Sequence, residues 1–262
     1  MSSPDFLRAK TERRKIAMVT CYDYTFARLL SNSAIDAILV GDSAAMVMHG
    51  HPSTLTMSIE LTRLHTGAVV KGAPAKFVVA DMPFLSYRKG VAPALDTAQI
   101  LMTAGAHAVK LEGVDGHEDV IARFVQSGIP VMGHLGMQPQ SVNAYGGFRV
   151  QGRNDASAND IVRQAAALEK LGAFAVVLEC VPSKLAGEIT TALQIPTIGI
   201  GAGPDCDGQI LVLQDLLGMN LDFRPKFVRS FMDGGRCVTD ALARYDEAVK
   251  AGTFPAHGES YS

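Results

Sequence analysis

The chain has 262 residues, 48% apolar and 19% charged, enough to bury a sizeable core in one large domain or two small ones. Its net charge is −2, and basic residues crowd together only in KTERRK at 10–15, which reads as a solvated helix end and leaves no footprint for nucleic acid. The four cysteines have neither CxxC nor zinc spacing, no secretory leader opens the chain, and no apolar run could span a bilayer, so the expectation is free thiols in a reducing cytoplasm.

Short apolar, β-branched runs recur in order: IAMVT (16–20), AILVG (37–41), FVVAD (77–81), AVKLE (108–112), PVMGH (130–134), AVVLE (175–179) and PTIGIG (196–201). An eighth, weaker run lies near PKFV (225–228). They are near-continuous rather than alternating, as parallel strands covered on both faces require. Helical patterns lie between them. From Ala158 to Gly172, the residues Ile161, Ala165, Leu168 and Leu171 share one helix face, and Gly172 is a stop. Segments 183–193 and 207–217 also read as helices, and QGRNDASAND (151–160) reads as a loop within the domain. The alternation predicts an α/β fold, a single (β/α)8 TIM barrel over residues 1–262, with a doubly wound open sheet as the alternative. GIGAG (199–203) is not a dinucleotide fingerprint: it lacks the GxGxxG spacing and follows the seventh run rather than the first.

Titratable residues end successive runs. Asp42 follows the second, Asp81 ends the third, Glu112 the fourth with Lys110 two residues earlier, His134 the fifth and Glu179 the sixth. A single strand-end carboxylate is usually a helix cap. Several of them, on the one face where all strands of a parallel barrel end, point to a shared site. Buried carboxylates need cations or hydrogen bonds, and an all-oxygen donor set favours Mg2+ over Zn2+. Lys110 and Glu112 share strand parity and so point the same way. The chemistry expected of such a site is a 2-oxo acid held by the metal, its enolate stabilised, and a separate carboxylate, best placed as Glu179, removing the adjacent proton. His134 is read either as polarising a substrate oxygen or orienting Glu179, or as a buried hydrogen-bonding histidine. His49 and His51 are read as loop residues, Tyr22 and Asp23 as structural, and Cys180 as facing away from Glu179.

The stretches TCYDYTFARL, LVGDS, HTGAVVKGAP, VADMPFLSY, AVKLEG, VMGHLGMQPQSV, RVQGR, VLECVP, IPTIGIGAG, DGQILV and PKFV, in this order over roughly residues 16 to 231, give the chain a close resemblance to the ketopantoate hydroxymethyltransferase family. The resemblance implies a phosphoenolpyruvate/pyruvate-type barrel. It implies transfer of a one-carbon unit from the co-substrate 5,10-methylenetetrahydrofolate to 2-oxoisovalerate, giving 2-dehydropantoate for pantothenate and coenzyme A synthesis. It carries Asp42, Asp81 and Glu112 over as residues of a magnesium site. Asp42, Ser43, Asp81 and Lys110 become contacts of the oxo acid, and Glu179 the proton acceptor. It also implies a cytoplasmic homo-oligomer, often a decamer. The chain departs from the family pattern at Ala44 and Ala45 (GDSAAM for GDSLGM), at Pro52 and at Gln214, which bears on substrate fit and rate rather than reaction type. A C–C lyase on the same barrel would use the same metal and enolate, and folate-dependent product formation separates the two.

Overall fold

The computed structural model describes residues 1–221 and 225–261. Its contacts group the chain into two compact units, Met1–Val212 and Leu213–Ser262. In chain order the first contains α1 (Ser3–Thr11), β1 (Ile16–Thr20), α2 (Tyr24–Ser31), β2 (Ala37–Val40), α3 (Ala44–Val47), α4 (Ile59–Gly72), β3 (Phe77–Asp81), α5 (Val91–Thr103) and β4 (Ala108–Glu112). It continues with α6 (Glu118–Gln126), β5 (Val131–Gly136), α7 (Val142–Tyr145), α8 (Asp155–Lys170), β6 (Ala175–Glu179), α9 (Ser183–Ala192), β7 (Thr197–Ile200) and β8 (Gly208–Leu211). All neighbouring strands pair in parallel, and β8 closes on β1 with Ile16 opposite Gly208 and Met18 opposite Ile210. The result is a closed (β/α)8 barrel, as the sequence pattern predicts.

Seven of the eight predicted runs become strands. The eighth does not: residues 225–228 form no strand, and β8 is GQIL, inside the segment read as helical. The misreading has a physical cause. Ile210, Leu213 and Leu217 have helical spacing, while GQIL offers only two apolar residues as a strand signal. What admits GQIL to the barrel is its glycine, since a Cβ on Gly208 would lie 2.6 Å from the Ile16 carbonyl oxygen. Of the helix predicted over 207–217, only Leu213–Leu216 is formed. Likewise 151–160 is not all loop. Asn154 accepts a hydrogen bond from the Ser157 N–H and starts α8 at Asp155.

The barrel interior is filled from alternate strand positions. Ile16, Met18, Leu39, Phe77, Val79, Met132, Val177, Ile198 and Ile210 form one buried cluster with Phe6 and Ala9 of α1. Phe6 meets Phe77 and Phe174, at ring centroid distances of 5.6 and 5.1 Å, near the N-terminal ends of β3 and β6, so α1 closes the barrel floor. Lys10 secures that helix by an ion pair to Asp207 at 2.9 Å and a hydrogen bond to the Thr190 carbonyl. A second apolar layer, including Leu101, Phe124, Leu168 and Ile189, packs the outer helices on the strands.

The second unit contains α10 (Leu213–Leu216) and α11 (Gly234–Lys250). Along α11, Val238, Leu242, Tyr245 and Val249 form an exposed apolar stripe. No helix among the described residues is long and apolar enough to cross a membrane.

Candidate active site

The alternate positions that fill the floor with apolar side chains become charged at the C-terminal strand ends. Continuing the inward rows, β3 ends on Asp81, β4 carries Lys110 and Glu112, β5 carries His134, and β6 ends on Glu179. Asp42 sits just past β2. Asp42, Asp81, Lys110, Glu112 and His134 are all buried.

These groups form one connected set. Lys110 Nζ lies 2.7 Å from Asp81 Oδ1, and Asp81 Oδ2 accepts the Asp42 backbone N–H at 2.9 Å. Lys110 Nζ is 3.3 Å from His134 Nδ1. His134 in turn lies 3.5 Å from Glu112 Oε1 through Nδ1 and 3.1 Å from Glu179 Oε2 through Nε2. Glu179 is the most open of the strand-end acids, with its side chain 17% exposed against 2–3% for Glu112 and Asp81. The predicted residues therefore do converge, and His134 touches both Glu112 and Glu179. Ser43 stands at the edge of the set, its hydroxyl 2.7 Å from the Tyr22 hydroxyl.

Charge is crowded here. Burial first, then Asp81 and Glu112, push Asp42 up to about 8, against the pull of Lys110 and Gln140. Burial alone would lower the Lys110 pKa, yet Asp81, Asp42 and Glu112 hold it above the ordinary lysine value. Burial and Lys110 also act to neutralise His134, but its contacts with Glu112 and Glu179 outweigh them and raise it to about 9. Three buried carboxylates thus share the Lys110 ammonium and the His134 imidazolium. Among the described residues Glu112 Oε1 is buried and accepts no hydrogen bond, its contact with His134 Nδ1 at 3.5 Å being an ion pair only. An all-oxygen set of three crowded carboxylates, one oxygen of which accepts no hydrogen bond, fits a hard divalent cation such as Mg2+. Among the described residues no three His, Cys, Asp or Glu side chains stand ready-made as a metal-binding group.

Two residues not singled out in the sequence hold this set in place. Gln140, in the turn after β5, donates its side-chain amide to Asp42 Oδ2 at 3.0 Å and to the Met82 carbonyl at 2.9 Å. Its backbone N–H reaches Glu112 Oε2 at 3.1 Å, and Tyr87 donates to its Oε1 at 3.0 Å. A Gln beyond a strand end, inside MQPQSV, was the available signal. Gly136 gives that turn its start: its φ is +89°, and a Cβ there would strike the Glu179 carbonyl oxygen.

The remaining sequence readings concern residues at the edge of the set. Asp23 caps α2 through the Phe26 N–H. His49 pairs with His65, Nε2 to Nε2 at 3.0 Å. Cys180 has a left-handed φ of 48°, and burial, then Glu179, push its thiol up to about 12, so it stays protonated.

A family model described as ketopantoate hydroxymethyltransferase matches residues 1–257. A relative from Bdellovibrio bacteriovorus named 3-methyl-2-oxobutanoate hydroxymethyltransferase is 57% identical over 98% of this chain and 98% of its own. One of the same name from Coxiella burnetii is 52% identical over 97% and 96%. Among solved structures, phosphonopyruvate hydrolase in complex with oxalate and Mg2+ superposes with a TM-score of 0.64 over 100% of this chain and 92% of its own, at 13% identity. A 2,3-dimethylmalate lyase of the PEP mutase/isocitrate lyase superfamily gives 0.60 over 99% and 91%, at 16% identity. These two likenesses concern the barrel fold. Matched along nearly its whole length in sequence, the chain belongs to the ketopantoate hydroxymethyltransferase family and is an enzyme of the transferase class.

Proposed function

We propose that the enzyme transfers a hydroxymethyl unit from 5,10-methylenetetrahydrofolate to 2-oxoisovalerate, giving 2-dehydropantoate, with Glu179 as the proton acceptor. The observation that carries this reading is the pairing of a partly open carboxylate, Glu179, with a buried, cation-seeking set reached through His134. Asp42, Asp81 and Glu112 would hold Mg2+, which would supply divalent charge and withdraw electron density from the carbonyl of a bound oxo acid.

The chain's own residues do the rest. Lys110 and Ser43 bind the carboxylate and oxo oxygens, with Asp42 and Asp81 at the same contact. Glu179 takes the C3 proton, and the electron pair left on C3 spreads to the oxo oxygen, towards the positive charge of Lys110. One of the two carbon–nitrogen bonds of the folate methylene opens as C3 bonds to that carbon; water then displaces the second nitrogen to give the product hydroxyl, and the two freed nitrogens take up one proton from Glu179 and one from the water. His134, 3.1 Å away, orients Glu179 for this step. The cytoplasm and a homo-oligomer belong to the same reading, and the apolar stripe on α11 supports the second.

The decisive experiment follows the C3 proton of 2-oxoisovalerate by NMR in D2O. Exchange should require Mg2+ and fall by about 10²–10⁴-fold in Glu179→Gln. Adding methylenetetrahydrofolate should then yield 2-dehydropantoate. An enzyme that gave neither exchange nor product with folate present would sink the proposal.

A further inference from the structure

The stretch between β5 and α8 leaves and rejoins the barrel at two adjacent residues. Met137 N–H bonds to the Glu179 carbonyl at 2.8 Å, and Gln151 N–H bonds to the Cys180 carbonyl at 2.9 Å. Residues 137–151 are therefore an excursion stapled at both ends beside the proposed proton acceptor. Where it rejoins, the chain from 148 to 157 lines a recess of about 520 Å3, with Phe148, Arg149, Val150, Gln151, Arg153 and Ser157 among the lining residues.

The lining is chemically two-sided. Phe148 is 55% exposed and Val150 38%, which leaves an aromatic and a β-branched side chain facing water. Arg149 and Arg153 are exposed as well, and among the described residues neither forms an ion pair. By contrast Arg163 nearby is fully engaged by Asp115 and Asp160. No carboxylate lines the recess. Two unpaired guanidiniums beside an open aromatic ring, on a chain of net charge −2, match a ligand with a flat ring and two carboxylates.

We infer that this recess holds the aminobenzoyl-glutamate end of the one-carbon donor, the ring against Phe148 and the glutamate carboxylates on Arg149 and Arg153. The inference rests on the folate reading above and adds where the donor docks. The stapled ends of the excursion then set the donor's reactive end towards the Glu179 side of the mouth.

The test uses the full-length enzyme and two probes, tetrahydrofolate and tetrahydropteroate, which lacks the glutamate. Binding of each is measured by titration calorimetry to wild type, Arg149→Gln, Arg153→Gln, the double variant and Phe148→Ser. The double variant should bind tetrahydrofolate about tenfold more weakly and tetrahydropteroate as wild type does. Phe148→Ser should weaken both probes, and added salt should weaken only tetrahydrofolate. In turnover, the KM for methylenetetrahydrofolate should rise in the double variant while the KM for the oxo acid stays put. Equal affinity of wild type for the two probes, or an unchanged tetrahydrofolate affinity in a folded double variant, would overturn the recess assignment and leave the folate reaction standing. A wild-type enzyme that bound neither probe and formed no folate-dependent product would instead remove the folate reading itself.

Discussion

Along β3, Phe77 and Val79 belong to the barrel floor, while Asp81, the next residue of the same inward row, pairs with Lys110 at the mouth. β6 repeats the pattern: Ala175 and Val177 are core, and Glu179 follows them. Floor and mouth are thus made from one set of positions and differ only in side-chain chemistry. The floor is held chiefly by apolar burial under α1, which is insensitive to charge, with the Lys10–Asp207 pair at the rim of that helix. The mouth is held by opposed charges whose desolvation is costly, so it is stable only as a matched set.

Removing the cation of the matched set should have the largest effect. Lys110→Met leaves the buried carboxylates opposed by His134 alone, and urea unfolding should show a loss of about 4 kcal/mol together with loss of turnover. Retained stability would mean that the mouth is not held by charge balance. Breaking the floor should be nearly as costly but functionally silent: Phe6→Ala should cost about 3 kcal/mol while leaving the KM for the oxo acid unchanged in the folded fraction. A shifted KM would show that floor and mouth are not separable.

Acid should then distinguish the two ends. His117 lies on the mouth side, after β4, buried with its ring centroid 5.1 Å from that of Tyr87. Burial, then Arg88, lower its pKa from 6.5 to about 4. Between those values the unfolded chain takes up a proton that the folded chain refuses, so stability falls as pH drops through this window and the loss levels off below it. The contribution is on the order of 3 kcal/mol, and His117→Gln should flatten the profile by that amount in pH-dependent melts. An unaltered acid limb would place the sensitivity elsewhere.

The barrel was legible because its strands are continuous apolar runs. The mouth was legible because carboxylates that end such runs are costly to bury unless they share a cation or donors. Parity along β4 was enough to place Lys110 and Glu112 on one face. β8 was obscured because a four-residue strand with Gly208 and Gln209 in it carries less signal than the helical spacing around it. Gln140 and Tyr87 are silent in the sequence for a different reason: neither carries charge, and their importance lies in partners distant in the sequence, which only the closed barrel brings near. Of the recess at 148–157, the sequence pattern reads 151–157 only as loop, because the character of the recess depends on how Phe148, Arg149 and Arg153 are arranged in space.

Gln140 also changes how the acids of β2 and β4 behave as variables. One residue donates to Asp42 through its side chain and to Glu112 through its backbone, so neither acid can relax without disturbing the other's donor. Their energies are then not separate quantities. A double-mutant cycle between Asp42→Asn and Glu112→Gln should return a coupling of about 1 kcal/mol or more, and the same cycle in a Gln140→Met background should return a smaller one.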